Sequence, residues 1–202
     1  LLPVSGTQRR IVEMTLTRTI DSIRTALLFA RHDRPYEVIM VTSALGQEGK
    51  TTVASQLAVS FARSGRRTLL IDGDVCNPQQ HIVLGMPMDK GLAELLRSEC
   101  TLDDVLKPTP ADGLWSLSAG YRDTFTDQNM ASARVGKLFQ ELRSRFDMIV
   151  IDTGPVLTSP DAMLLGQHAD TTIVSVRRDI SRLPKVHEAV DRLRVVGIHI
   201  AG

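Results

Sequence analysis

The stretch VTSALGQEGKTTVASQLA, from Val41 to Ala58, has the residue types of a phosphate-binding loop. In such a loop, backbone N–H groups and a helix N-terminus surround the phosphates, a lysine reaches the outer phosphates, and a hydroxyl binds Mg²⁺. The glycine usually expected first is Ala44, which fits only if the backbone there avoids positive φ. The pattern predicts an ATP site with these binding residues: Gly46, Gln47, Glu48, Gly49, Lys50, Thr51 and Thr52.

Carboxylates follow two apolar runs elsewhere in the chain. LLIDGD carries Asp72 and Asp74, and MIVID ends in Asp152. The carboxyl ends of parallel strands share one sheet edge, so all three should emerge beside the loop and face one metal ion. A strand-end Asp can instead cap the following turn. We predict Mg²⁺ ligands at Thr51, Asp72, Asp74 and Asp152.

The elements around the loop favour phosphate binding over a chance Gly-Lys-Thr tripeptide. The apolar run YEVIMVTS reads as a strand that leads into the loop, and KTTVASQLAVSFARSG reads as a helix that Gly65 ends. Further strands are predicted at RRTLLIDGD, GLWSLSA, FDMIVIDTG, DTTIVSVRR and IHIAG. Six strands alternating with helices indicate an α/β P-loop NTPase whose doubly wound, mainly parallel sheet has helices on both faces.

The remaining helices are predicted from periodicity and capping residues. Val12, Leu16, Ile20, Ile23 and Leu27 predict one amphipathic helix from about Thr7 to Ala30, with Arg18, Asp21 and Arg24 on its polar side. A turn should follow at HDRP. Shorter helices are expected at GLAELLRSE, at TLDDVLK with Thr101 as N-cap, over about 131–146, after Pro160 and at LPKVHEAVDRLRVVG. The polar segment from Tyr121 to Met130 is the expected mobile loop.

Composition narrows the class of protein. The 202 residues, 43% of them hydrophobic, are enough for one core, so residues 1–202 should form a single domain. Lys and Arg number 24 and Asp and Glu 23, a balance that argues against nucleic acid as a partner. Without a long apolar run or a signal sequence, a soluble, cytoplasmic domain is expected. Cys76 and Cys100 are too few for a disulfide framework and are expected to be free thiols.

With these residues placed, the sequence resembles the bacterial tyrosine kinases, the cytoplasmic kinase domains of capsule and exopolysaccharide export. The likeness covers nearly the whole chain. TSALGQEGKTT resembles the family's TS-x-x-P-G-E-G-K-[ST]-T, LLIDGDVCNP resembles LLIDxDxRxP, and FDMIVIDTGPVL resembles YDxVIIDTPPVL. The family also lacks the first glycine of the loop. IRTALLF and SPDAMLL likewise look like the corresponding family segments.

The resemblance implies an ATP-dependent autokinase at the inner face of the cell membrane, joined to a transmembrane polysaccharide co-polymerase as a partner or a fused segment. It implies that Lys50 binds the β- and γ-phosphates, that Thr51 binds Mg²⁺, and that Asp72, Asp74 and Asp152 organise the metal and the attacking hydroxyl. Catalytic roles for Lys50, Asp72 and Asp74 are implied in the same way. It also implies ring assembly through the first helix, within residues 1–31. There the family's Glu-x-x-Arg-x-x-Arg reads Arg18-x-x-Asp21-x-x-Arg24.

Some positions depart from the family pattern. Gly46 and Gln47 replace Pro-Gly, Cys76 replaces Arg, and Gly154 replaces the first Pro of TPPVL. The family's tyrosine-rich tail has no counterpart before Gly202, and the start at Leu1 suggests a domain excised from a longer chain. Transfer should therefore reach a tail beyond Gly202 or a partner, rather than Tyr36 or Tyr121.

Two other classes of function stay open at this stage. An ATP-binding assembly scaffold would fit the altered positions. A ParA- or MinD-like ATPase switch would fit the fold, but those proteins carry an extra lysine near the start of the loop, where this chain has Leu45.

Overall fold

A computed structural model describes residues 6–30 and 35–202, with the backbone alone for residues 6–13 and Asp127. The first five residues of the predicted N-terminal element, its residue 31 and most of the predicted HDRP turn lie outside the described residues. The described part forms a six-stranded sheet flanked by helices.

The sheet confirms the expected fold class. Its strand order is β3-β4-β2-β5-β1-β6, and every pairing is parallel except that of β3 with β4. The strands are β1 (Val38–Ser43), β2 (Thr68–Asp72), β3 (Leu106–Pro108), β4 (Leu114–Leu117), β5 (Met148–Asp152) and β6 (Thr171–Ser175).

Helices cover both faces of the sheet. They are α1 (Gly6–Phe29), α2 (Lys50–Arg63), α3 (Gln80–Leu84), α4 (Leu92–Leu96), α5 (Leu102–Val105), α6 (Thr126–Met130), α7 (Ala133–Arg145), α8 (Asp161–Gly166) and α9 (Leu183–Val195). Alternate residues of β5 point to opposite sides, since Ile149 and Ile151 pack with the side chains of α4 to α8, while Met148 and Val150 pack with those of α1 and α2. This two-sided burial explains the continuous apolar runs of the central strands.

Three predicted elements differ from the structure. Leu106 and Lys107 belong to the antiparallel edge strand β3, not to the helix predicted at TLDDVLK. Pro108 ends this strand, where Pro is tolerated because the edge needs no further donor. IHIAG forms only a bridge from Ile200 to Thr172 beside β6. The segment from Tyr121 to Met130, expected as a loop, contains α6, whose Met130 is buried in the core.

The first helix also corrects a prediction. Arg18 is exposed as expected, but Asp21 and Arg24 bind α2 instead of facing away from the body of the protein. Asp21 Oδ1 accepts hydrogen bonds from Ser60 and Arg63, and Arg24 donates to the Ser60 carbonyl at 2.9 Å. The helical spacing explains this, because Arg24 follows Ile20 by four residues and precedes Leu27 by three, so it shares their buried face.

Candidate active site

The predicted phosphate-binding loop joins the end of β1 to the start of α2. Ala44 is buried and its φ is not positive, which satisfies the condition that the sequence set. Gly49 occupies the N-cap of α2 with φ 86°, a conformation that favours glycine. Lys50, Thr51 and Thr52 form the first turn of α2, whose N–H groups have no partner within the helix. The loop therefore presents a helix N-terminus for an anion.

Gln47 and Glu48 form hydrogen bonds that hold the loop in place. The Glu48 carboxylate is buried and accepts a hydrogen bond from the Leu45 N–H at 2.8 Å, so it closes the loop on itself. The Glu48 carbonyl accepts from Ser175 Oγ at 2.7 Å, and the Gln47 carbonyl accepts from Arg177 at 3.2 Å. The end of β6 thus holds the loop from the outside, a contact that the motif alone does not indicate.

The Lys50 ammonium lies between two of the predicted carboxylates. Its Nζ is 2.8 Å from Asp74 Oδ2 and 3.9 Å from Asp152 Oδ1, and all three side chains are less than 10% exposed. Burial lowers the pKa of Lys50, but the nearby carboxylates, above all Asp152, outweigh it and raise that pKa above its ordinary value. Lys50 is therefore a permanent cation at this sheet edge.

Asp72 and Asp152 end the neighbouring strands β2 and β5 and face each other in register. Burial and then the charge of Asp152 raise the pKa of Asp72 to about 7. Burial also raises the pKa of Asp152 to about 6, although the Lys50 charge opposes the rise. The edge of the sheet therefore concentrates more negative charge than Lys50 alone offsets.

Gly73 lets the chain turn closely past β5 after Asp72. Its N–H donates to the Asp152 carbonyl at 2.7 Å, and a Cβ at this position would lie 2.4 Å from Leu165 Cδ1. The Asp72 carboxylate accepts hydrogen bonds from the N–H groups of Asp74, Gln79 and Gln80, at 3.0 to 3.3 Å. The turn after β2 is thus built around Asp72.

The predicted magnesium ligands converge, but they do not form a metal cage. Among the residues that the structure describes, no three His, Cys, Asp or Glu side chains lie close enough to hold an ion by themselves. Lys50 separates Asp74 from Asp152. Among the described residues, Asp152 Oδ1 is nevertheless buried without a hydrogen-bond partner, and the Lys50 ammonium lies 3.9 Å from it. This oxygen is therefore an acceptor that a ligand can use. This donor set fits Mg²⁺, which is usually held by one or two carboxylates together with substrate phosphates.

The altered positions have local explanations. Gln47 has φ 65°, so it adopts the left-handed conformation at the place of the glycine in the family pattern, at a cost of about 1 kcal/mol. Cys76 and Cys100 are free, as expected. The Cys76 sulfur accepts a hydrogen bond from Nη1 of Arg122 at 3.1 Å. At Gly154, a Cβ would lie 2.9 Å from Ser159 Cβ.

Comparison with known proteins places this site in a class. The family model described as an AAA domain matches residues 36–188. Among solved structures, the MinD protein of Pyrococcus horikoshii, complexed with Mg-ADP, superposes with a TM-score of 0.69 at 25% identity, over 82% of this chain and 68% of that one. The chain is thus a P-loop nucleotide-binding domain.

Closer matches define the family. YwqD of Bacillus subtilis, a tyrosine-protein kinase, is 32% identical over 85% of this chain and 75% of its own length. CapB of Staphylococcus aureus, named a putative tyrosine-protein kinase, is 28% identical over 93% of this chain and 82% of its own. The VpsO kinase domain superposes with a TM-score of 0.85 at 32% identity, over 98% of this chain and 97% of that one. The chain belongs to the bacterial tyrosine-kinase family.

The length of the relatives varies. The tyrosine-protein kinase Wzc of Salmonella typhimurium is 32% identical over 91% of this chain, but this chain spans only 26% of Wzc. Within the described ranges, no helix is both long and apolar enough to cross a bilayer.

Proposed function

We propose that this chain is an ATP-dependent protein-tyrosine kinase. The observation that carries the proposal is the placement of Lys50, on the first turn of α2, between Asp74 and Asp152 at the carboxyl edge of the sheet. A lysine cation next to a helix N-terminus suits phosphate, and adjacent carboxylates suit a divalent metal. The family relationship adds tyrosine as the acceptor.

The site residues would divide into groups with different roles. Thr51, Asp152, Asp74 and Asp72 would hold Mg²⁺, which supplies charge neutralisation at the phosphates when bound. Lys50 would exchange its contact with Asp74 for the outer phosphates, where it stabilises developing charge. Gly46 to Thr52 would surround the phosphates with backbone N–H groups.

Asp72 would accept the proton of the attacking hydroxyl. Asp72 lies at the carboxyl end of β2, buried beside Asp152, and a carboxylate there can act as a general base. The tyrosine oxygen forms a bond to the γ-phosphorus, the bond from that phosphorus to the bridging oxygen breaks, and ADP leaves. The proton of the tyrosine passes to Asp72, so the step is balanced without any further reactant.

Neither tyrosine of this chain is placed as the main acceptor. Tyr36 is only 5% exposed and packs with α1 and α2. Tyr121 is 54% exposed, but its N–H is held by Glu94 at 2.9 Å, on the segment that packs against α4. Bringing Tyr121 into its own site would mean releasing and reordering that segment, at about 1 to 2 kcal/mol for each residue fixed. Transfer to another molecule or segment is the better expectation.

The biological setting is proposed from the family. The chain would act at the inner face of the membrane, with a transmembrane segment or partner of polysaccharide export, and would control polymer assembly. The chimeric protein CapA2B2 superposes with a TM-score of 0.87 at 28% identity, over 92% of this chain and 81% of that one. Assembly into a ring is also proposed, now through Arg18, because Asp21 and Arg24 are engaged with α2.

The proposal is tested by comparing Lys50→Met with Lys137→Met, which removes an exposed lysine from α7. With labelled ATP, Mg²⁺ and a tyrosine peptide, wild type and Lys137→Met should form phosphotyrosine, while Lys50→Met loses about a hundredfold or more in rate. Near-normal turnover by Lys50→Met would exclude the assignment. Inorganic phosphate without phosphotyrosine would instead identify an ATPase switch, and nucleotide binding without turnover would identify a scaffold.

A further inference from the structure

Gln80, the first residue of α3, is buried among the residues assigned to phosphate and metal. It is 1% exposed. Its Nε2 lies 3.1 Å from Asp152 Oδ2 and 3.3 Å from the Thr51 carbonyl oxygen. Its backbone N–H donates to Asp72 Oδ2 at 3.0 Å. One residue thus connects the end of β2, the end of β5 and the first turn of α2.

The orientation of the Gln80 amide follows from its neighbours. The Asp152 carboxylate and the Thr51 carbonyl only accept hydrogen bonds, so the amide nitrogen must face both of them. The amide oxygen therefore points away from both. Oε1 is buried and has no hydrogen-bond partner among the described residues. A buried acceptor without a donor is unfavourable, which makes Oε1 a group that a ligand can satisfy.

The ligand must bring a donor, and this restricts its chemistry. Phosphate oxygens of a nucleotide only accept. Mg²⁺, however, gives up its water reluctantly and usually keeps several molecules when it binds through one or two carboxylates. Each retained water carries two donor hydrogens, and Asp152, which Gln80 already holds, is a proposed ligand of that cation.

We propose that Gln80 is a positioning residue for the hydrated cation. Nε2 fixes the Asp152 carboxylate against the first turn of α2, and Oε1 accepts a hydrogen bond from a water molecule that the cation carries. The inference rests on the proposed function. A purely structural role, in which Gln80 only joins α3 to α2, would affect stability without affecting the response to Mg²⁺.

The test measures ADP affinity with Mg²⁺ and with a chelator, in the same preparation of each variant. Gln80→Met keeps the length and volume of the side chain but removes both hydrogen-bonding groups. The matched control is Gln167→Met, because the Gln167 amide also donates to a carbonyl, that of Val196 at 2.9 Å, far from the site. Any unfolded fraction lowers both affinities of a sample equally and cancels from their ratio.

The measured quantity is the ratio of ADP affinity with Mg²⁺ to ADP affinity without it. We expect this ratio to fall about tenfold in Gln80→Met, as for other groups that orient metal ligands. The ADP affinity without Mg²⁺ should stay within about twofold of wild type. Gln167→Met should keep the full gain. Gln80→Asn retains the amide on a shorter side chain, so its gain from Mg²⁺ should lie between those of Gln80→Met and Gln167→Met. This variant replaces Gln80→Met in the test if Gln80→Met does not fold.

A full Mg²⁺ gain in Gln80→Met or Gln80→Asn would overturn the positioning role. A wild-type protein whose ADP affinity does not respond to Mg²⁺ would contradict the proposed function itself, and this inference with it. Failure of the positioning role would therefore appear in the Gln80 variants, whereas failure of the proposed function would appear in the wild-type protein.

Discussion

Replacing Lys50 should weaken the fold as well as abolish phosphoryl transfer. The Lys50 ammonium offsets Asp74 at 2.8 Å and Asp152 at 3.9 Å, and the three side chains are almost completely buried. Removing one member of a buried ion pair costs about 3 to 5 kcal/mol when the remaining charge is left uncompensated. Lys50→Met should keep the same fold with a lower free energy of unfolding.

Protonation of the acids limits that loss and gives it a pH dependence. Asp152 and Asp72 already have pKa values of about 6 and about 7, and losing Lys50 raises the pKa of Asp152 further. Protonating an acid above its pKa costs about 1.4 kcal/mol per pH unit. We therefore expect a loss of about 3 kcal/mol near pH 8 that shrinks to about 1 kcal/mol near pH 5.5, because acids whose folded pKa is raised bind protons on folding and destabilise less as the pH falls.

Urea unfolding at both pH values, without nucleotide, measures this difference. Lys137→Met is the control for loss of a positive charge and should match wild type within about 0.5 kcal/mol. A Lys50→Met protein as stable as wild type near pH 8 would show that Lys50 does not offset the buried carboxylates. So would a deficit that grows as the pH falls.

Three further predictions concern metal use, acid stability and assembly. Asp152→Asn and Asp72→Asn should weaken binding of Mg-ATP about tenfold more than binding of metal-free ATP, measured by calorimetry, since the amide keeps the size but not the charge; equal losses would indicate a structural role. Asp170→Asn should lower the free energy of unfolding by about 2 kcal/mol at neutral pH. Burial raises the pKa of Asp170, but Arg143 and two backbone N–H groups outweigh burial and hold that pKa below its ordinary value. The difference in stability between wild type and Asp170→Asn, measured by urea unfolding, should therefore vanish as the pH falls through about 4 and below. A difference that persists at such low pH would contradict this prediction. Light scattering should show an oligomer for wild type and a monomer for Arg18→Glu, whereas an unchanged mass in the variant would exclude that surface.

The sequence predicted the parts of the site that adjoin long apolar strands. Asp72 and Asp152 could be placed at one sheet edge because buried strands of four or five apolar residues are unambiguous and parallel strands end together. The contact of Lys50 with the carboxylates of Asp74 and Asp152 is consistent with this placement. The periodicity of α2 and α7 was equally clear.

Short or polar elements could not be predicted in the same way. The strand β3 has three residues, one of them Pro, and is defined only by its pairing with β4. Gln80 lies in a polar run, Gln79 to His81, where no apolar period indicates a helix, so the residue that links Asp152 to Thr51 had no signal in the sequence. Arg24 was misplaced because its charge suggested solvent, although its spacing from Ile20 and Leu27 put it on the buried face.

The fate of the terminal phosphate of ATP distinguishes a protein-tyrosine kinase from an ATPase. The chain is incubated with Mg²⁺, ATP labelled in that phosphate, and increasing amounts of a tyrosine peptide, and the labelled products are separated by mass. A tyrosine kinase should place the label on the tyrosine oxygen of the peptide, at a rate that rises with peptide concentration until the site is saturated. Label that appears only as inorganic phosphate, at a rate independent of the peptide, would contradict a tyrosine-kinase function.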